Sequence, residues 1–256
     1  MGKHRFLRAF AVVVLFAGCI AASTFLFSAA YDAGVLSAVS SRASSAKSAR
    51  PVSSAASSAP PSAASGASAK TYERDLVLVS PEHPIPSWYK ANLTDSFGVT
   101  LDSSVVQPFA DMRTDASKDG VSLWVSSAYR SSKLQSELFQ REIEEYSKTC
   151  PTYADAVAAA ERSVAKPGCS EHETGLALDL NGVQDDFDKT AAFRWLDRHA
   201  QDYGFILRYP KDKQNITKIK YEPWHYRYVG AADAKAMKKA GLCLEEYEAQ
   251  KTGAVH

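Results

Sequence analysis

Hydrophobic and polar positions divide the chain into three stretches. The first is Ala9–Ala30, 22 residues without a charge, preceded by Lys3, His4, Arg5 and Arg8. That length suffices for a helix to cross roughly 30 Å of hydrocarbon. The positive flank on its amino side predicts a cytoplasmic start and an exported remainder. A cleaved signal peptide is the main rival, although its apolar stretch is usually only about 7–15 residues. Phe16-Ala17-Gly18-Cys19 is close to a lipoprotein cleavage site, but Phe16 stands where Leu is usual, and apolar residues continue through Ile20, Phe25, Leu26 and Phe27. The preferred reading is a membrane anchor over residues 1–32, single-pass, with the rest of the chain extracytoplasmic. In the second stretch, Ala33–Lys70, 25 of 38 residues are Ser or Ala, and Pro51, Pro60 and Pro61 interrupt any helix. Such a segment cannot bury enough apolar surface to offset chain entropy, so it reads as a disordered tether spanning roughly 35 Å.

The third stretch, residues 71–256, alternates between two periods. Asp75–Ser80 and Val121–Ser127 carry the period-two pattern of strands, the second after the turn signal Asp119-Gly120. Lys133–Tyr146 places Leu134, Leu138, Ile143 and Tyr146 at helical spacing, and the Ala-rich Tyr153–Val164 predicts a second helix. Gly175–Leu180 reads as a strand, Thr190–Tyr203 as a helix, Phe205–Tyr209 and Trp224–Val229 as short strands, and Ala231–Ala240 as a closing helix. The mix gives an α+β fold, a small antiparallel sheet flanked by helices.

Charge sharpens the division. The whole chain has 30 basic and 29 acidic side chains, which gives no reason to expect a nucleic acid partner. Residues 1–70 hold seven Lys/Arg and one Asp, leaving 23 basic and 28 acidic groups in residues 71–256 together with all four Trp. Those aromatics exclude wholesale disorder of the third stretch.

Candidate chemistry lies among few residues. Of six His, His4, His83 and His256 fall in tails or a loop, and His199 sits in the charged run Asp197-Arg198-His199. That leaves His172, in Ser170-Glu171-His172-Glu173-Thr174-Gly175-Leu176-Ala177-Leu178-Asp179, and His225, in Glu222-Pro223-Trp224-His225. Neither has the one-face spacing of a helical metal motif, so a metal site must be assembled from separate segments. Two imidazoles and a carboxylate suit zinc and leave a fourth position open. Glu222 is placed to accept a proton. By composition alone such a trio can equally be unrelated surface and core residues.

The whole pattern is more specific. S-x-H-x-x-G-x-A-x-D followed by E-x-W-H resembles the signature of the VanY-type D-alanyl-D-alanine carboxypeptidases, within the LAS group of zinc peptidases that also includes VanX-type dipeptidases and the Hedgehog metal-binding fold. Ser127-Ala128-Tyr129-Arg130-Ser131 with Gln135 is similar to a third family segment, and Tyr203–Pro210 and Tyr226–Gly230 are also typical. The resemblance covers roughly residues 75–245. It implies one zinc per chain on His172, Asp179 and His225, with Glu222 as catalytic base. It further implies Arg130 holding a substrate carbonyl oxygen or carboxylate, and Ser170 and Gln135 contacting the peptide; a fork of donors suits Arg130 to that role. Trp224 is expected to pack beneath the ligands. The implied reaction is hydrolysis of the terminal D-Ala from peptidoglycan stem peptides by metal-activated water, with a link to antibiotic resistance. An endopeptidase or dipeptidase of the same fold, or a non-catalytic zinc-containing wall-binding module, are the alternatives.

An exported domain is exposed to an oxidising space, and Cys150, Cys169 and Cys243 lie beyond the anchor. Spacing alone does not fix connectivity. The expected pair is Cys150 with Cys169, bracketing the Ala-rich helix and pinning the start of the metal motif, which leaves Cys243 as a buried thiol.

Overall fold

A computed structural model describes residues 74–253; the expected anchor (1–32) and linker (33–70) lie outside the described residues. Among the described residues no helix is long and apolar enough to cross a membrane. The elements run β1 (Leu93–Ser96), β2 (Val99–Asp102), α1 (Ser103–Lys118), β3 (Val125–Ser127), α2 (Ser132–Ser147), α3 (Tyr153–Ala160), β4 (Ala177–Leu180), α4 (Ala191–His199), β5 (Phe205–Leu207), α5 (Gln214–Thr217), β6 (His225–Tyr228), α6 (Ala231–Ala240) and α7 (Leu244–Thr252). β3, β4, β6 and β5 form an antiparallel sheet in that order, and β1 pairs with β2 as a hairpin. The expected α+β class is therefore present.

The sheet's two faces do different things because side chains alternate along a strand. β4 and β6 pair Ala177 with Arg227, Leu178 with Tyr226 and Asp179 with His225. Leu178, Leu180 and Tyr226 enter the main core with Val105, Phe109, Met112, Leu123, Trp195, Leu196 and Phe205. The alternate positions put Asp179, His225 and Arg227 together on the opposite face. All four residues of β4 are buried, so both faces of this strand are covered.

Local chemistry explains the element boundaries. In α1 the buried Val105, Phe109, Met112 and Ala116 form one stripe. Its N-cap, Asp102, accepts the amide of Ser104 and a two-pronged contact from Arg74 at 2.6 and 2.8 Å. The β1–β2 loop needs positive φ at both Phe97 and Gly98, the backbone of a type I′ hairpin turn. Packing of the Phe97 ring edge-on against Phe109, 5.0 Å between centroids, offsets that strain. The expected helices over Lys133–Tyr146 and Ala231–Ala240 are present as α2 and α6. The helix expected to run from Thr190 to Tyr203 is α4 followed by a 3₁₀ turn, Ala200–Tyr203.

Two expectations fail. Asp75–Ser80 is not a strand; its only ladder contact is the isolated Ser80–His83 bridge. The apolar Leu76, Val77 and Val79 are buried as expected, but two arginines replace a neighbouring strand. Arg227 Nη2 donates to the carbonyls of Asp75 and Val77, both at 2.9 Å, and Arg208 Nη2 to that of Val79 at 3.4 Å. The Cys150–Cys169 bridge is also not formed: Cys150, Cys169 and Cys243 are free thiols. Cys150 closes the end of α2 with its amide on Tyr146 O and packs beside Ile143, Ala156 and Ala160. Cys169 sits in a turn closed on Lys166 O at 2.9 Å. Hydrogen bonds do the pinning instead, from Gly168 N to Glu173 Oε1 and from Ile85 N to Gly168 O, both 2.7 Å.

The glycine of the first motif is required by its backbone. Gly175 ends the 3₁₀ turn Glu171–Thr174 at φ 76°, and its carbonyl accepts Asp102 N at 2.9 Å. A Cβ there would lie 2.8 Å from that same nitrogen. Gly175→Ala is expected to cost about 1–3 kcal/mol through the left-handed backbone alone, with the close approach adding to it. At about 2–4 °C per kcal/mol for a domain this size, thermal unfolding should show a fall of several degrees, and an unchanged melting temperature would contradict the packing described.

Candidate metal centre and active site

Three segments deliver the candidate ligands. The 3₁₀ turn Glu171–Thr174 presents His172, β4 presents Asp179, and the start of β6 presents His225. All three are buried, and one donor atom from each lies within 4.8 Å of the others. Direct pairing of Asp179 with His225 in the sheet sets two of the positions. The structure thus brings together the three residues singled out as ligands.

Each side chain has a defined orientation. His172 places Nδ1 2.7 Å from the carbonyl of Ala128. A carbonyl only accepts, so Nδ1 carries the proton and Nε2 is left as a lone-pair donor, 3.3 Å from Asp179 Oδ2. His225 points Nδ1 at Asp179 Oδ1 and Glu222 Oε2, each 3.4 Å away. Asp179 Oδ1 is buried without a hydrogen-bond partner. A buried carboxylate oxygen left unserved is costly, and a cation among these three donors would serve it. The donor set and its orphaned oxygen fit zinc.

Arg130 lies against the same centre. Its Nη2 donates to Asp179 Oδ2 at 2.9 Å, its Nε to Ser127 Oγ at 3.1 Å, and its Nη1 reaches Gln135 Oε1 at 3.5 Å. The guanidinium side chain keeps 20% of its surface open to solvent. Gln135 is fully buried behind it, with its amide on Ala165 O at 2.7 Å. Ser170 is buried directly before the 3₁₀ turn, and its hydroxyl does not cap that turn. Trp224 packs in the main core, as expected.

Burial and charge compete throughout. Burial pushes the Glu222 carboxyl above the usual glutamate range, with His225 opposing only partly. Burial and the Arg130 charge hold His172 below an ordinary imidazole. Burial disfavours a charged His225, but Asp179, Glu171 and Glu222 outweigh it and raise its pKa well above the usual value. Asp179 is held well below the carboxylate range, because His172, His225 and Arg130 overcome its burial. Asp179 and Glu222 both face Nδ1 of that ring, an arrangement of acceptors suited to a cation.

The family model for VanY, D-alanyl-D-alanine carboxypeptidase, matches residues 98–231. This chain belongs to the VanY family. A D-alanyl-D-alanine carboxypeptidase of Enterococcus faecalis is 42% identical over 176 residues, covering 68% of this chain and 66% of the relative's own length. A crystal structure of a Glu-to-Ala mutant of the vancomycin resistance D,D-pentapeptidase VanY, in complex with Zn(II), has a TM-score of 0.63 at 43% identity, covering 69% of this chain and 99% of that one. VanYB in complex with D-alanine-D-alanine gives 0.62 at 42%, covering 68% and 97%. In this VanY-family chain, residues 98–231 span every ligand candidate, Arg130, Gln135, Ser170 and Glu222.

The motifs did not single out the residues beneath the centre. Arg208 and Arg227 are fully buried, and Glu171 receives Arg208 Nε at 2.7 Å and Arg227 Nη1 at 2.8 Å on the same oxygen, Oε1. Glu245 takes both Arg208 Nη groups, at 2.7 and 2.9 Å. Burial pushes the Glu171 carboxyl up, but the two guanidiniums and His225 hold it well below its usual range. The signals were adjacency of Glu171 to His172, and an arginine in each of the Tyr203–Pro210 and Tyr226–Gly230 stretches.

Proposed function

We propose that this chain is a zinc-dependent D-Ala-D-Ala carboxypeptidase that removes the terminal D-Ala from peptidoglycan stem peptides. The observation that carries the reading is Glu222, buried and 3.4 Å from the ring of His225, beside the orphaned oxygen of Asp179. His172 through Nε2, Asp179 through a carboxylate oxygen and His225 through Nδ1 would hold one zinc. Bound there, zinc supplies Lewis-acid polarisation of the scissile carbonyl and a lowered pKa for water at the site. Glu222 accepts the proton of the attacking water at its carboxylate and returns it to the departing amine. Arg130 donates to the oxygen that gains negative charge as the carbonyl becomes tetrahedral, while Asp179, Ser127 and Gln135 fix its fork. Ser170, two residues before His172, contacts the peptide. A basic, apolar amino-terminal segment and a long Ser/Ala tether support an exported, membrane-held enzyme whose substrate is fixed in the cell wall.

Assay of the purified chain on a pentapeptide precursor ending in D-Ala-D-Ala tests this directly. Release of one free D-Ala per peptide is expected, lost on chelation and restored by zinc. Zinc binding without hydrolysis would mean a wall-binding module, and cleavage of free D-Ala-D-Ala in preference to the pentapeptide would mean a dipeptidase. Arg130→Lys should lower kcat/KM by about 10²-fold or more, the range for loss of an oxyanion donor, because one ammonium cannot reproduce the fork. The melting temperature should change little. If unfolding were the main effect, Arg130 would be structural.

A further inference from the structure

A second set of orphaned atoms lies behind the ligands. Glu171 has no exposed side-chain surface, and its Oε1 takes both arginine donors. Its other oxygen, Oε2, has no hydrogen-bond partner, and neither has Nε2 of His225. These two unserved, buried atoms face each other at 3.5 Å. The opposite nitrogen of the same ring, Nδ1, faces Asp179 and Glu222. The imidazole is therefore bracketed, with the cation side at one nitrogen and a lone carboxylate oxygen at the other.

A neutral histidine that ligates through Nδ1 must carry its proton on Nε2. Buried here, that N–H needs an acceptor, and Glu171 Oε2 is the polar atom that faces it. We infer that Glu171 is the positioning residue of His225, accepting Nε2–H and so fixing the tautomer that presents Nδ1 to zinc. His172 is set in the same way by a different acceptor, the carbonyl of Ala128, at its Nδ1. The two ligands thus use opposite ring nitrogens, and each is locked from behind. Arg208 and Arg227 make the lock one-way. They offer only donors to Oε1, which fixes the carboxylate's rotation and leaves Oε2 aimed at the ring. The inference rests on the zinc reading above, and it adds that the buried ion network serves the metal centre as well as the fold.

The chemistry of the amide substitution gives the test. In Glu171→Gln the two arginines require the amide oxygen at the Oε1 position, because guanidiniums cannot accept. The NH₂ group then faces His225 Nε2. A donor there favours an unprotonated Nε2 and moves the ring proton to Nδ1, the atom needed for zinc. The full-length Glu171→Gln chain, titrated with Zn²⁺ against a competing chelator, should bind about 10–100-fold more weakly than wild type, the range for lost outer partners of a ligand. Glu245→Gln removes a carboxylate from the same Arg208 without touching His225 and should bind zinc within about two-fold of wild type. Equal weakening by both would overturn the inference in favour of a generic loss of the ion network, and undiminished affinity in Glu171→Gln would overturn it outright.

Should Glu171→Gln fail to fold, the wild-type chain still tests the tautomer on which the inference depends. With ¹⁵N-labelled histidine and one Zn²⁺ bound, two-bond nitrogen–proton correlations should place the His225 ring proton on Nε2. A proton on Nδ1 would overturn the inference and the assignment of Nδ1 as the ligating nitrogen, while leaving zinc uptake itself intact. Failure of the wild-type chain to take up zinc would instead overturn the zinc reading and this inference together.

Discussion

Glu222→Gln is expected to lower kcat by about 10²–10⁴-fold, the usual contribution of a positioned acid–base group, with zinc content and melting temperature close to wild type. Gln keeps the volume and the polar tip of the side chain, so the buried site remains filled. It cannot take a proton at the pH where a carboxylate can. Burial raises the Glu222 pKa, which makes it a stronger base than an exposed glutamate. Because Glu222 lies beside His225 and is not among the three clustered ligand candidates, its loss should separate turnover from metal binding. Measuring D-Ala release and bound zinc on one preparation checks both. Near-normal turnover in the variant would remove Glu222 from the mechanism and require another group as the base.

His172→Ala should abolish tight zinc binding. It removes one of three protein donors from a centre that has no fourth among the clustered residues. The substitution also leaves the Ala128 carbonyl without its 2.7 Å partner and opens a cavity beside a buried turn. A cost of about 1–3 kcal/mol to the metal-free fold is expected from the lost buried hydrogen bond. The clearer readout is thermodynamic linkage. Zinc should raise the melting temperature of the wild-type chain, since a ligand that binds only the folded state stabilises it, and should have almost no effect on the variant. Full zinc occupancy in His172→Ala would break the ligand assignment.

Legibility varied by element. α2 and α6 could be read because helical spacing or composition over ten or more residues leaves few alternatives. α1 and the hairpin before it were not predicted. Pro108 sits inside α1, where a proline argues against a helix interior, and the hairpin turn has Phe97 where Asn, Asp or Gly is usual. Its positive φ is held by contact with Phe109, a residue of another element. Asp75–Ser80 had the right alternation and the right burial but the wrong partner, since arginines from β6 and from just after β5 take the carbonyls a strand would have taken. The Cys150–Cys169 pairing was argued from positions that bracket the Ala-rich helix and precede the metal motif, and position along the chain says nothing about whether two thiols meet.

Sequence by itself determined which side chains could hold a metal and which could move a proton: two histidines, an aspartate and a glutamate in two motifs separated by more than forty residues. Motif chemistry is local, so residue identity and spacing carry it. Only the tertiary structure decided how those groups are aimed. The β4–β6 register sets Asp179 opposite His225, Ala128 turns His172, Arg130 bridges Asp179 to Ser127, and Glu171 waits behind His225 on two buried arginines. Arg227 alone reaches from β6 to Asp75 and Val77 some 150 positions away. Contacts over that distance arise from burying both faces of one sheet, and no pattern along the chain encodes them.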